Sequence, residues 1–289
     1  MKLLRLFPFF LLLAGCDIIE APYLDNPISA LPADEQCVEL AMQTEPFQQP
    51  IVRKVLVEEM TGHQCGNCPE IGEIIHSLKG GIFANKMVVM SIHAGALSNP
   101  KSTGDKYNTD FRTDPGRDLY NALNPFDVVP LGMVDRRDKI IGAGAYQSRI
   151  QQALDLAPEA GIRVFNCYNP DSLRLTTVID VKYLVEGGEN DQLAVYLIED
   201  NIKDWQKDYR YADPDLQGYT HHDMLRAAIN GTWGEPISTG PISPDSRFTK
   251  SYSFTLKAGW APENCKVVAF LFDNDSKEVR QVEEAPVVN

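Results

Sequence analysis

The four residues Cys65-Gly66-Asn67-Cys68 constrain the fold of this 289-residue chain more than any other feature. They stand between two segments of clear and different pattern. Val52 to Met60 (VRKVLVEEM) alternates and is rich in β-branched residues, which predicts a strand. Cys68 to Leu78 carries Ile71, Ile74, Ile75 and Leu78 at i, i+3, i+4 and i+7, which predicts a helix stopped by Gly80 and Gly81. The cysteines therefore sit where a strand hands over to a helix. A thiol at a helix N-terminus meets unpaired N–H groups and the positive end of the peptide dipoles, and both favour its thiolate. A second cysteine one turn on can close a two-residue loop, so the pair can form a mixed disulfide and resolve it.

Two other chemistries use the same spacing. One is a static structural disulfide. The other is half of a zinc site, but a second C-x-x-C or a histidine pair at ligand spacing is missing, with His63 and His76 the nearest candidates. Thiol exchange is the preferred reading, with no metal and no cofactor expected.

The remaining pattern divides the chain. Met87 to Ala94 (MVVMSIHA) is a continuous apolar run, as expected of a strand covered on both faces. Asp114-Pro115 predicts a helix start, with Asp114 as N-cap and the proline at the first helical position. Val128 to Asp135 and Lys139 to Ile141 read as two strands joined by a tight charged turn, and Ala145 to Leu156 as a helix. This order of strands and helices is that of an α/β layer over residues 51–158. Beyond Pro158 six strand-like runs follow: Gly161 to Tyr168, Leu173 to Val185, Gln192 to Asp200, Arg247 to Leu256, Lys266 to Asp273 and Val279 to Ala285. They predict an all-β, Ig-like sandwich over 159–289. A long loop, 201–246, interrupts it. That loop is rich in aromatic and charged residues, with a short helix expected near Asp223 to Ile229.

At the N-terminus, Lys2 and Arg5 precede the apolar run Leu6 to Leu13, which is too short to span a bilayer and reads as part of a signal peptide over 1–15. Leu13-Ala14-Gly15-Cys16 resembles the lipobox of bacterial lipoproteins, which implies cleavage before Cys16 and lipid on its sulfur. Residues 16–50, spotted with prolines, read as a tether from the membrane. With 27 basic against 40 acidic residues the net charge is −13, which opposes binding to nucleic acid. Export favours disulfides among the other cysteines, and Cys167 with Cys265 is the expected structural pair, leaving Cys37 odd. His221-His222-Asp223 is read as a solvated loop or a packed histidine, because neighbouring side chains point apart.

The strand, the C-x-x-C opening a helix and the later X-Pro-strand together resemble the thioredoxin superfamily. That resemblance implies that Val129-Pro130 is the family's cis-proline dipeptide and offers the Val129 backbone to substrate. It also implies that Glu59 is the buried carboxylate that moves a proton for Cys68, while Cys65 attacks and Cys68 resolves. Gln64 stands where the family has tryptophan, Gly-Asn replaces Gly-Pro, and the span to Pro130 implies an insertion over 95–127. Adding the lipobox, TGHQCGNCP, VVPLGMVDR, Tyr219 to Arg226 and VVAFLFDNDSKEVRQVEEA, the chain resembles the outer-membrane-protein-twenty-eight-related lipoproteins of Gram-negative bacteria. This implies an outer-membrane lipoprotein held by its lipid, acting on thiols or disulfides of exported proteins. The alternative it implies is a surface binding or adhesin module that uses the thioredoxin-like part as scaffold.

Overall fold

A computed structural model describes residue 47 and residues 49–288. The signal peptide, Cys16 with its lipobox, Cys37 and nearly all of the tether lie outside the described residues.

A nine-stranded sheet forms the spine of the protein. At its centre β1 (Val55–Thr61) pairs in parallel with β2 (Met87–His93) and antiparallel with β3 (Leu131–Val134), which is followed by β4 (Asp138–Ile140). Every residue of β1 and β2 is buried, because both faces are covered. Successive side chains on a strand point to opposite faces, so β1 serves two cores. On one side Val55 and Val57 meet Ile71 and Ile75 of α1 (Cys68–Gly80). On the other, Leu56 and Met60 meet Leu119 and Leu123 of α2 (Asp114–Leu123). A third helix, α3 (Tyr146–Leu154), packs Ile150 beside α1. The cap of α2 lies one residue earlier than expected. The Thr113 hydroxyl accepts from the Gly116 N–H at 3.0 Å, and Asp114 and Pro115 fill the first turn.

The same alternation places two adjacent glutamates on opposite faces. Glu58 turns toward the α2 side, where Arg136 grips it with two bonds of 2.8 Å. The guanidinium lies 4.9 Å from the Phe270 ring and 5.2 Å from that of Phe272. Glu59 turns toward α1 and the site described below.

The second half of the chain contains β5 (Ala160–Asn169), β6 (Arg174–Tyr183), β7 (Asp191–Glu199), β8 (Ile202–Lys207), β9 (Asp215–His221), β10 (Met224–Ala228), β11 (Glu235–Pro236), β12 (Arg247–Thr255), β13 (Cys265–Asp273) and β14 (Val279–Pro286). The expected strands beyond Pro158 are present, but they do not close into a sandwich of their own. The sheet runs β14-β13-β7-β10-β2-β1-β3-β4, so four strands of the second half continue the sheet of the first. A three-stranded sheet, β12-β6-β5, packs over β7 and β13 through Ile179, Val181, Val195 and Val267. The join is β10, where a helix was expected. Its Met224-Leu225-Arg226-Ala227-Ala228 favours helix by composition. Pairing with β7 on one side and with Ser91 of β2 on the other makes it a bulged strand.

The expected Cys167–Cys265 bridge is corrected as well. Cys265 is a free, buried thiol, whereas Cys167 is disulfide-bonded. The two cysteines lie on β13 and β5, in different sheets, and Cys265 begins β13 among apolar side chains facing the smaller sheet.

Candidate functional site

Cys65 and Cys68 form a disulfide at the mouth of α1. The turn that leads into the helix is held by its own backbone. Cys65 N–H donates to Gly62 O at 2.9 Å and Cys68 N–H to Cys65 O at 3.2 Å. Asn67 is the N-cap but makes no side-chain cap bond, and Pro69 occupies the first turn, where a missing N–H costs nothing.

The loop expected over 201–246 builds the roof of this site. β8 and β9 pair as a hairpin, and the end of β8 with the residues just after it runs along residues 62–66. Lys207 N–H donates to His63 O at 2.8 Å, and Tyr209 N–H donates to Gly66 O at 2.9 Å. Gln206 Nε2 donates to Cys65 O at 3.0 Å and to Gly62 O at 3.3 Å. A Cβ on Gly66 would stand 2.5 Å from the Tyr209 ring, so only glycine lets the ring lie this close. Arg210 then reaches α1, with two bonds of 2.7 Å to Glu73. Under this cover each sulfur-bearing residue is only 2% exposed.

Below the disulfide, between α1 and β9, lies a cavity of about 340 Å³ lined by Cys68, Glu59, Gly72, His76, Tyr219 and His221. Gly72 lines it without a side chain. A Cβ there would come within 3.7 Å of Glu59 Oε2 and 3.8 Å of the Tyr219 hydroxyl. Glu59 is buried, and its Oε1 has no hydrogen-bond partner among the described residues. Burial without a compensating cation pushes its carboxyl up to about 8, so it is protonated at neutral pH.

The histidines collect here too. His93 and His221 meet with ring centres 5.3 Å apart, both packed on Phe111, and His63 joins the same cluster. Burial holds all three below the ordinary imidazole range, His93 well below and His221 at about 4. His76 stacks on His222 at 4.0 Å, and His222 Nδ1 lies 2.6 Å from Asp200. Asp223 pairs with Lys79 of α1 at 2.7 Å. Among the described residues no group of three His, Cys, Asp or Glu side chains is placed to hold a metal ion.

Of the residues singled out from sequence, Cys65, Cys68 and Glu59 come together around α1. Val129-Pro130 is a cis peptide bond at the start of β3, and the Val129 side chain packs on the α2-side core. The roof residues Gln206, Tyr209 and Arg210 and the cavity residues Tyr219 and His221 were not singled out as site residues. Their only signal was the density of aromatic and charged residues in 201–246.

Among solved structures the protein resembles HBP35 of Porphyromonas gingivalis, with a TM-score of 0.64 and 16% identity over 83% of this chain and 77% of that one. That likeness speaks to fold. A domain of the outer membrane lipoprotein Omp28 from Porphyromonas gingivalis aligns with a TM-score of 0.30 and 20% identity, over 45% of this chain and 88% of that one. No curated protein matches the sequence. The family model for outer membrane protein Omp28 matches residues 118–289, from within α2 to the C-terminal residue of the sequence and across the whole roof hairpin. That match covers more than half of the chain, and on it the chain belongs to the Omp28 family of the outer membrane.

Proposed function

We propose that this protein carries out thiol–disulfide exchange on exported proteins at the outer membrane, through a thioredoxin-like unit built on β1, α1, β2, β3 and β4. The sheet order β2-β1-β3-β4 with a C-x-x-C opening α1 supports the unit. The observation that carries the activity is the cavity that joins Cys68 to a protonated, uncompensated Glu59.

The chemistry follows from that arrangement. A substrate thiolate attacks Cys65 Sγ, an S–S bond forms between substrate and Cys65, and the Cys65–Cys68 bond breaks. Cys68 leaves as a thiolate and takes the proton of Glu59. A second substrate thiolate then attacks the mixed disulfide. It releases an oxidised substrate and a Cys65 thiolate stabilised by the N-terminus of α1. Two electrons pass from the substrate dithiol to the Cys65–Cys68 pair, and the reverse sequence reduces a substrate disulfide. Val129 and Pro130, at the start of β3, are the proposed substrate platform.

Equilibration with dithiothreitol mixtures, read by thiol trapping and mass, tests this reading. A reversible two-electron transition at Cys65–Cys68 and a Cys65 thiol pKa below that of free cysteine are expected. A pair that stays oxidised throughout, or a thiol of ordinary pKa, rejects it. The near-complete burial of both cysteines favours a second reading, in which the disulfide is structural and the protein is a surface binding or adhesin module. Under that reading a Cys65→Ser/Cys68→Ser chain that stays folded keeps all partner binding, whereas exchange on exported thiols requires both sulfurs.

A further inference from the structure

The roof over the disulfide has the form of a bound polypeptide. The Lys207 and Tyr209 N–H groups satisfy the carbonyls of His63 and Gly66, and the Gln206 amide adds a second donor to those of Gly62 and Cys65, which N–H groups of the turn already reach. An extended segment laid on an unpaired backbone edge is a recurrent mode of peptide recognition, with backbone bonds for affinity and side-chain seats for selectivity. One such seat is defined here. The Tyr209 ring lies on Gly66 between the two cysteines, while its outer part is exposed.

The roof is also held by ties that water can replace. Arg210–Glu73 is exposed on both partners. Lys207 and Lys106 bind the hairpin's half-buried Asp215 at 2.9 and 3.1 Å. Thr109 donates to Asp204 at an exposed position. An isolated two-stranded hairpin is marginal in water. In-line attack on Cys65 needs an open approach to its sulfur, and in the closed arrangement Cys65 is buried, with Gln206 on its carbonyl and the Tyr209 ring on neighbouring Gly66.

We infer that the backbone edge Gly62–Gly66 is a seat for an extended polypeptide with an aromatic side chain beside its thiol, and that Gln206–Arg210 occupies this seat in cis. The inference rests on the exchange reading for what the polypeptide is, a substrate. The seat itself rests on the pairing just described. A substrate segment displaces the hairpin, places its aromatic ring on Gly66, and so brings its own thiol to Cys65.

The test uses the oxidised full chain in detergent and a fluorescein-labelled peptide of residues 203–211 (KDWQKDYRY). Tyr209→Ala/Arg210→Ala loosens the roof at two exposed positions, and Glu73→Gln releases the same tie from α1 if that double variant fails to fold. Fluorescence anisotropy should show the loosened chain binding the peptide at least ten-fold more tightly than wild type. A peptide with alanine in place of its first tyrosine should lose that gain. Equal binding by both chains, or none by either, overturns the inference. The dithiothreitol equilibrium is read separately. Peptide binding with a pair that never reduces keeps the seat and removes the chemistry. A reversible pair without peptide binding keeps the chemistry and removes the seat.

Discussion

Glu59→Gln offers the sharpest test of the cavity beneath the disulfide. The change keeps size and shape and removes one ionisation. In the folded protein burial raises the Glu59 carboxyl from 4.5 to about 8. The native state therefore holds a proton that the unfolded chain releases between those two values. Stability contributed by this group is complete below pH 4.5 and is lost as pH rises toward 8. Each pH unit within that window is worth about 1.4 kcal/mol, so wild type should lose roughly 2.5 kcal/mol between pH 5 and pH 7 through Glu59 alone. Urea unfolding of the oxidised chain, followed by circular dichroism at pH values spanning the carboxyl's folded-state range and beyond it, from about 5 to about 9, measures it. The buried histidines titrate in part of the same range with the opposite sign, so the difference between the variant and wild-type profiles carries the result. That difference should grow in favour of Glu59→Gln with rising pH and level off above pH 8. Parallel profiles would refute the argument, since Glu59 would then ionise as freely in the cavity as in water.

Three further outcomes follow from named contacts. Glu58→Ala leaves Arg136 buried among Phe270 and Phe272 without its partner, and should cost about 3–5 kcal/mol in urea unfolding; a cost under about 1 kcal/mol would mean the pair is hydrated. His221, held at about 4 by burial, is neutral in the native state, so its share of stability is intact above pH 6.5 and lost as pH falls toward 4. His221→Leu should therefore flatten the acid limb by about 2 kcal/mol at pH 5, whereas an unchanged limb would place the ring in water. Gly66→Ala pushes a methyl into the Tyr209 ring and should speed amide exchange at Lys207 and Tyr209 more than in β1; equal rates would show that the ring does not rest on Gly66.

How much of this could be read from the sequence depends on how far each feature reaches along the chain. The α1 start at Cys68 follows from local pattern, since its apolar stripe and the strand before it need no distant partner. Six of the ten described strands beyond Pro158 were legible for the same reason, their alternation and turns being local, whereas β8 to β11 fall in the segment expected as a loop. Strand partners were not. Met224–Ala228 becomes a strand because β7 and Ser91 of β2 offer it two edges, and no property of those five residues announces either one. That single misreading also hid the continuity of the sheet, since β10 is the link between the two halves.

The site divides along the same line. Cys65 and Cys68 are three residues apart, and their capacity to pair could be read from that spacing. Glu59 could be named as a carboxylate near them, but its protonation could not. Its lack of a cation and its burial are set partly by Tyr219 and His221, which β9 brings from far along the chain to close the cavity over α1. Neither could the covering of Cys65 be read from its neighbours, because it depends on Gln206 and Tyr209 finding the carbonyls of residues 62–66. The hairpin thus ends in the two structures that govern the disulfide. Its first strand leads into the segment that covers the turn at Cys65, and its second strand walls the chamber that buries Glu59. A movement that uncovers Cys65 must shift β8, and through the β8–β9 pairing it also disturbs the wall beside Glu59. The cover of Cys65 and the wall beside Glu59 therefore belong to one hairpin, although the residues involved lie in segments that sequence reading assigned to separate domains.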